Sequence, residues 1–239
     1  TRDGTFEAEQ IAAGHSHVCA AKQNGDVYCW GKNDHGESDP NSSSPPSEVE
    51  YPNKQTHGLV PAASVLAAGE SHSCAGDSST TVCWGNDGDS QLGDGAGTTD
   101  SGSTVEVLSA SGIPTDYTML TAFNKMTCGM NGGGVYCWGK LTWGSTAQTN
   151  AVPGEVHQPG GGSNTYQSVS LGANHRCALT TTNDIKCLGA GGAGQCGGTT
   201  SSHCNSLTDV LDPGGTSDFK RPFLGESHSC AWSTNNGNV

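Results

Sequence analysis

Cysteine is the residue type in this sequence that most clearly indicates chemistry, since its thiol is reactive and it occurs eleven times in 239 residues. A set of cysteines this large either forms disulfides or binds metal ions such as zinc. Zinc is the alternative because a histidine stands two residues before a cysteine at four places, namely His17, His72, His175 and His228. Structural zinc sites usually contain short Cys-x-x-Cys motifs, and none occurs here. We therefore favour disulfides and expect no metal at these cysteines.

Ten of the cysteines fall into pairs by their spacing. Four pairs are 9 or 10 residues apart, and they are Cys19–Cys29, Cys74–Cys83, Cys128–Cys137 and Cys177–Cys187. Cys196 and Cys204 remain, close together in one loop, and are taken as a fifth pair. If each of the four regular pairs closes a hairpin, its cysteines face each other across neighbouring strands. Cα atoms then approach to ~4.5 Å, within the range of a disulfide.

The residues between paired cysteines suit tight turns. Between Cys128 and Cys137 the turn centres on Gly132-Gly133, which tolerate positive φ. The other turns centre on Ser78-Ser79, Asn24-Gly25 and Thr182-Asn183. Each short disulfide loop adds ~2–3 kcal/mol of stability, and such bonds require an oxidising compartment. We therefore expect the chain outside the cell or at the cell surface.

The hairpins belong to a repeat of about 50 residues. Five segments begin alike and end in a cysteine, and they are Ile11–Cys19, Val65–Cys74, Met119–Cys128, Val169–Cys177 and Pro222–Cys230. No change in composition separates unlike domains. We expect one region over 1–239, with repeats at about 5–58, 59–112, 113–162 and 163–215 and a partial repeat at 216–239.

Cys230 has no partner in this scheme. The other repeats place the second cysteine 9 or 10 residues later, which falls at or just beyond Val239. We therefore expect the sequence to be a piece of a longer chain. The alternative is a natural C-terminus at which Cys230 is a free thiol or forms an intermolecular bond.

Each unit reads Ala-Gly-x-x-His-Ser-x-Cys, then a Gly-rich turn, then Val-x-Cys-Trp-Gly, with local variants. The second repeat continues with Asn-Asp-Gly-Asp-Ser-Gln-Leu-Gly-Asp-Gly at 86–95. This pattern resembles the repeat of the regulator of chromosome condensation family. The third repeat departs most, with Phe123 in place of the glycine and Met126 in place of the histidine.

The resemblance implies an all-β fold, a β-propeller with about one four-stranded blade per repeat. It implies four to five blades in this chain, as part of a larger ring of about seven. An open propeller leaves unpaired strand edges. We expect missing sequence to complete the ring, the alternatives being a smaller ring or a partner.

The repeated histidines and tryptophans are open to two interpretations. The histidines could ring a central channel, but the simpler interpretation is that each hydrogen-bonds locally and fixes a strand. Trp30, Trp84 and Trp138, with Leu188 as the fourth member, are most simply packed between blades. Trp143 lies outside the pattern, in an expected loop, and is the better candidate for a contact residue.

Two further sites are candidates. Asp87, Asp89 and Asp94 could hold calcium, a cation that prefers several oxygen ligands. They lack the spacing of an EF-hand, and the family motif already explains Asp94, so this interpretation is the weaker one. Asn41 begins the only Asn-x-Ser/Thr sequon and is the candidate for N-glycosylation.

Charge and motif content exclude several functions. The net charge of -13 argues against nucleic acid and anionic membranes as partners. No run of 18 apolar residues is present, so we expect no membrane insertion of this chain. Nucleophile-elbow, phosphate-loop and His-Glu-x-x-His motifs are missing. We therefore expect a protein that is not an enzyme and needs no cofactor.

These observations favour an extracellular, non-catalytic scaffold or interaction module within a larger secreted or surface assembly. The loops differ strongly between repeats while the strand motifs stay constant, as in a scaffold with a divergent contact surface. The expected partners are other protein subunits or copies of the chain, with glycans as a further class. The alternatives are an inhibitor or a guanine-nucleotide exchange factor by family analogy, or a carbohydrate-binding lectin.

Counting free thiols before and after reduction tests the disulfide assignment. We expect at most one reactive thiol per chain before reduction, that of Cys230, and eleven afterwards. A chain whose thiols are mostly free before reduction would instead favour a cytosolic exchange factor.

Overall fold

The computed structural model describes residues 6–39, 48–54, 63–108, 112–143, 146–155, 165–197, 203–210 and 218–233. The regular structure in these ranges consists of β-strands. A helix long and apolar enough to cross a membrane is not found in this part of the chain. The expected all-β class is confirmed.

The strands form four sheets of four strands and one sheet of two. The first sheet contains β1 (Gln10–Ala13), β2 (His17–Ala21), β3 (Val27–Lys32) and β4 (Glu48–Lys54). The second contains β5 (Val65–Ala68), β6 (His72–Gly76), β7 (Thr81–Gly85) and β8 (Ser101–Glu106). The third contains β9 (Met119–Phe123), β10 (Met126–Asn131), β11 (Gly134–Trp143) and β12 (Thr146–Glu155).

The fourth sheet contains β13 (Tyr166–Leu171), β14 (His175–Thr180), β15 (Ile185–Ala190) and β16 (His203–Asp209), and the fifth contains β17 (Phe219–Leu224) and β18 (Ser229–Ser233). Within each sheet every strand pairs antiparallel with the next along the chain. We call the sheets blades 1 to 5. Each blade lies inside one of the five sequence repeats.

The regular cysteine pairs sit opposite each other between the second and third strands of blades 1 to 4. All four disulfides have Cα atoms 4.1 Å apart. In blade 3 the hairpin turn has φ of 56° at Gly132 and 83° at Gly133, as a two-residue turn of type I′ requires. A fifth disulfide joins Cys196, in the loop after β15, to Cys204 in β16. The structure thus contains all five expected pairs.

The core lies between successive blades. We call the face of a blade that is turned to the next blade its trailing face, and the opposite one its leading face. The trailing face of blade 1 presents Cys19, Val27 and Cys29 to Leu66 and Trp84 on the leading face of blade 2. Trp84 and its counterpart Trp138 are fully buried, so the expectation of packing between blades is confirmed for both. Trp30, on the leading face of blade 1, is only partly buried.

The third and fourth blades depart from the pattern in their outer strands. Trp143 is the last residue of β11, so the expectation that it lies in a loop is wrong. In the fourth repeat, Cys196 stands where the second repeat has Leu92. Both side chains are buried, so the Cys196–Cys204 disulfide fills the core position that leucine fills in blade 2.

A glycine in the turn after the first strand lies against the histidine of the second strand. A Cβ atom on Gly69 would overlap the ring of His72, and the same holds for Gly14, Gly172 and Gly225 with His17, His175 and His228. The third repeat replaces both members together, with Phe123 and Met126. The glycine is therefore required by close packing of the imidazole.

Replacing Gly69 by alanine is expected to lower the free energy of unfolding by about 1–3 kcal/mol, because the new methyl group overpacks the buried His72 ring. Gly88→Ala is the matched control, since a Cβ there meets no atom closer than Asn86 Oδ1 at 3.5 Å. Denaturant unfolding measures both variants. Equal stability of the two would contradict the packing argument.

Candidate functional site

Histidine side chains link consecutive blades through hydroxyl groups. His72 Nε2 lies 2.7 Å from Thr127 Oγ1 of the next blade. That hydroxyl donates to the carbonyl of Gln91 at 3.3 Å, and Trp138 Nε1 donates to the same carbonyl at 2.9 Å. We call this arrangement the inter-blade bridge. It recurs from His17 to Ser73 and Glu37, and from His175 to Ser229 and Gln195.

The geometry fixes the protonation of these histidines. The hydroxyl uses its only hydrogen toward the carbonyl, so the imidazole must donate from Nε2. Nδ1 of His17, His72 and His175 has no hydrogen-bond partner among the described residues. Burial lowers the pKa of His17 to about 4 and that of His72 to about 3, and it also lowers the pKa of His175. The bridge therefore contains neutral histidine.

The interface between blades 3 and 4 is built differently. Met126 takes the place of the histidine, and Arg176 takes the place of the hydroxyl residue. Met126 lies in one apolar cluster with Leu171 and Ala178 of blade 4. Burial lowers the pKa of Arg176 to about 10. The donor and the receiving residue of the bridge have thus changed together.

The turns between the first two strands of all five blades converge on a pocket of about 380 Å³. Its lining includes His15, Glu70, Phe123, Asn124 and Glu226. These residues come from blades 1, 2, 3 and 5, and Ala173 of blade 4 also lines the pocket. We call this the axial pocket.

Backbone hydrogen bonds between blades hold the rim of the axial pocket. His15 N–H donates to Gly69 O at 3.1 Å, and Glu70 N–H donates to Asn124 O at 2.7 Å. Glu70 and Glu226 supply two carboxylates. Lys125, next to Asn124 in sequence, forms an ion pair with Asp89 at 2.8 Å. The rim is therefore fixed by the backbone, while its side chains give it an acidic character.

The three aspartates considered for calcium have separate partners. Asp87 Oδ1 accepts a hydrogen bond from Leu92 N–H, and Asp94 Oδ1 accepts one from Ala96 N–H. Asp89 pairs with Lys125. Burial raises the pKa of Asp87 to about 6. In the ranges that the structure covers, no group of three or more His, Cys, Asp and Glu side chains could hold a metal, so the aspartates share no site.

The lining of the axial pocket does not include Cys230 or the repeated histidines. Cys230 is exposed and forms no disulfide in the structure. Asn41 lies outside the described residues. The bridge histidines contact the next blade, 54 to 56 residues away. The expectation that each of them hydrogen-bonds locally is therefore wrong.

Sequence analysis missed the axial residues. They occupy the position directly after the repeated glycine or its replacement, and they are His15, Glu70, Asn124, Ala173 and Glu226. The signal was available, because this position changes in chemistry between repeats while the glycine beside it recurs. A variable residue inside a recurring motif indicates exposure rather than a role in the core.

The buried histidines make stability depend on pH. Each ordinarily titrates near pH 6.5, whereas His72 in the folded protein does so at about 3. The unfolded chain therefore binds more protons below pH 6.5, so the contribution of His72 is complete above that pH and is lost as the pH falls. We expect the stability advantage of the wild type over His72→Gln to shrink by roughly 3 kcal/mol between pH 7 and pH 4.

Denaturant unfolding across this pH range provides the measurement. Asp87 acts in the opposite direction, because its raised pKa favours the folded state as the pH falls, but it is common to both proteins. Parallel profiles for the wild type and His72→Gln would contradict the bridge.

Comparison with known proteins supports the sequence resemblance. Residues 8–37 match the model of the Regulator of chromosome condensation (RCC1) repeat. A search of curated proteins gives no match. Among solved structures, the chain is similar to human WBSCR16, with a TM-score of 0.81, 20% identity, and coverage of 98% of this chain and 60% of that chain.

Two yeast structures are also similar. One is Prp20p from Saccharomyces cerevisiae, with a TM-score of 0.77, 17% identity, and coverage of 95% of this chain and 56% of that chain. The other is Kap60 bound to yeast RCC1 (Prp20), with a TM-score of 0.75, 18% identity, and coverage of 96% and 54%. The chain therefore spans 54% to 60% of the length of these chains. The blades form part of a β-propeller, and residues 8–37 within it match one repeat of the regulator of chromosome condensation type.

Proposed function

We propose that this chain is a non-catalytic, extracellular protein-binding module that receives a basic segment of a partner protein at the axial pocket. The observation that carries the proposal is the pocket itself, in which chemically different side chains from all five blades meet on a rim held by backbone hydrogen bonds. Recognition surfaces are commonly variable residues on a rigid frame. The module would belong to a larger secreted or surface assembly.

The charge of the pocket favours a basic ligand. Glu70 is partly buried and Glu226 is exposed, so both carboxylates are available to a partner. The whole chain carries a net charge of -13, which steers a positively charged partner toward it over several ångströms. Prp20p, which shares the fold, is described with binding properties to Gsp1p and histones, so a propeller of this shape can serve protein recognition.

The disulfides support the extracellular assignment. Five are present, and the four that join neighbouring strands are buried in the interfaces between blades. Disulfides persist in oxidising environments and are rare in the cytosol. They are compatible with a secreted protein, and they disfavour the intracellular exchange-factor alternative.

A glycan is the second candidate ligand, because Phe123 lines the pocket beside Asn124 and Glu70. An aromatic ring next to hydrogen-bonding side chains is the combination that a sugar-binding site needs. A glycan screen separates the two candidates. Binding of sugars that is lost in Phe123→Ala but kept in Glu70→Gln would favour the lectin.

The basic-segment proposal is tested with a fluorescein-labelled Lys/Arg octapeptide at physiological ionic strength. We expect Glu70→Gln/Glu226→Gln to bind about tenfold more weakly than the wild type, because two carboxylates near the ligand are neutralised. Fluorescence anisotropy gives the Kd.

Glu7→Gln/Glu9→Gln is the matched control, since it removes the same charge from two exposed positions away from the pocket. It should bind like the wild type. Equal weakening by both double variants would show a general charge effect, and binding unchanged in the pocket variant would overturn the proposal.

A further inference from the structure

Two lysines from the neighbouring blades flank Glu70 on the rim of the axial pocket. On the side of blade 3, the Glu70 N–H donates to the carbonyl of Asn124, and Lys125 is the next residue. The pKa of Lys125 is raised first by its hydrogen bond to Asp89 and also by the charges of Asp89 and Glu70. The ammonium group of Lys125 therefore lies in the field of the rim carboxylate.

The side of blade 1 is built in the same way. Lys32 N–H donates to Ser16 O in the inner turn of blade 1, and that turn is hydrogen-bonded to the inner turn of blade 2. The hydrogen bond and the charge of Asp34 raise the pKa of Lys32, and the charges of Glu37 and Glu70 add to this effect. A second ammonium group thus lies near the same carboxylate.

Each of these lysines is bound by an aspartate instead of by Glu70. Lys32 Nζ lies 3.0 Å from Asp34 Oδ2, and Lys125 Nζ lies 2.8 Å from Asp89 Oδ2. Neither aspartate belongs to the lining of the axial pocket. Within the part of the chain that the structure describes, the Glu70 side chain forms no ion pair and no hydrogen bond. Its carboxylate is therefore left for a ligand.

The loop of the inter-blade bridge holds Asp89 in place. Asp89 N–H donates to Gln91 Oε1 at 2.7 Å, and Gln91 Nε2 donates to Asn86 Oδ1 at 2.7 Å. Gln91 is itself buried, and its carbonyl accepts the bridge. Lys140 also approaches Asp89, with 3.9 Å between Nζ and Oδ1. Asp89 thus presents a fixed carboxylate to two lysines of blade 3.

A lysine released beside Glu70 competes with any basic ligand for that carboxylate. Because it is attached to the rim, its effective concentration at Glu70 is high. Its side chain is a flexible four-carbon stem that carries a point charge, so it can turn from one carboxylate to another. The ion pair that it forms there neutralises the charge that attracts the ligand.

We propose that Asp34 and Asp89 are positioning residues, which hold Lys32 and Lys125 away from Glu70 and so keep the axial pocket acidic for a basic segment. This inference rests on the proposed function of the pocket. It gives a role in recognition to two carboxylates that lie outside the pocket. Loss of either aspartate releases its lysine onto Glu70, so binding weakens through the lysine and not through the lost negative charge itself.

A double-mutant cycle on the full chain, measured by anisotropy of the labelled Lys/Arg octapeptide, separates these two causes. We expect Asp89→Asn to bind the peptide about threefold more weakly than the wild type, since exposed ion pairs are weak. Asp89→Asn/Lys125→Gln should bind at least as tightly as the wild type. Asp34→Asn and Asp34→Asn/Lys32→Gln should behave in the same way. Equal weakening by Asp89→Asn with and without Lys125 would overturn the proposal.

Asp89→Asn/Lys140→Gln is the matched control for the cycle. Lys140 is the other lysine that approaches Asp89, and its removal changes the net charge by the same amount. This variant should remain weaker than the wild type. Recovery of binding equal to that given by Lys125→Gln would show a general charge effect and would overturn the role of Lys125.

Acetylation by limiting acetic anhydride, followed by peptide mapping, locates Lys125 without any ligand, because a carboxylate partner favours the charged, unreactive amine. Lys125 should stay protected in Asp89→Asn, where it pairs with Glu70, and in Glu70→Gln, where Asp89 holds it. It should react about threefold faster in Asp89→Asn/Glu70→Gln. Full reactivity in Asp89→Asn would overturn the proposal. A wild type that binds no peptide would overturn the function of the pocket, while these rates still decide the position of Lys125.

Discussion

The blades depend on one repeated interaction, in which a neutral histidine donates across the interface to a hydroxyl of the next blade. The imidazole lies over a glycine that leaves no room for a Cβ, as His72 does over Gly69. Its hydroxyl partner and a tryptophan converge on one loop carbonyl, that of Gln91 for Trp138. Each bridge thus ties together a strand, a loop and the neighbouring blade. This coupling explains why blade 3 changes Gly to Phe123 and His to Met126 together.

The bridges separate the residues that hold the propeller from those that can contact a partner. In blades 1, 2, 4 and 5 the glycine and the histidine of the inner turn are fixed by packing, whereas the residue directly after the glycine, which lines the pocket, is free to vary. His15, Glu70 and Glu226 occupy this variable position. The axial pocket can therefore change its chemistry without a change in the frame. This division is the physical basis for assigning recognition to the pocket rather than to the repeated histidines.

The parts of the fold that depend on local spacing could be predicted from the sequence. The turn at Gly132-Gly133 and the pairing of Cys128 with Cys137 follow from hairpin geometry, and both are present. The bridges could not be predicted, because His72 and Thr127 belong to different repeats and the sequence does not say which blade faces meet. The axial pocket could not be predicted for the same reason, because its lining residues belong to different repeats. Trp143 was misplaced because β11 continues past its repeat motif, which nothing in the local pattern signals.

The position of the disulfides affects both the packing between blades and the access of reductants to the sulfur atoms. The four strand-joining disulfides lie on trailing faces, where the neighbouring blade buries them almost completely. They share these interfaces with small side chains such as Ala12 and Ala75 and with large ones such as Trp84 and Trp138. A disulfide contributes in two ways, since it fills space between the sheets and limits the freedom of the unfolded hairpin. Because the next blade covers it, a reductant gains access only when the interface opens.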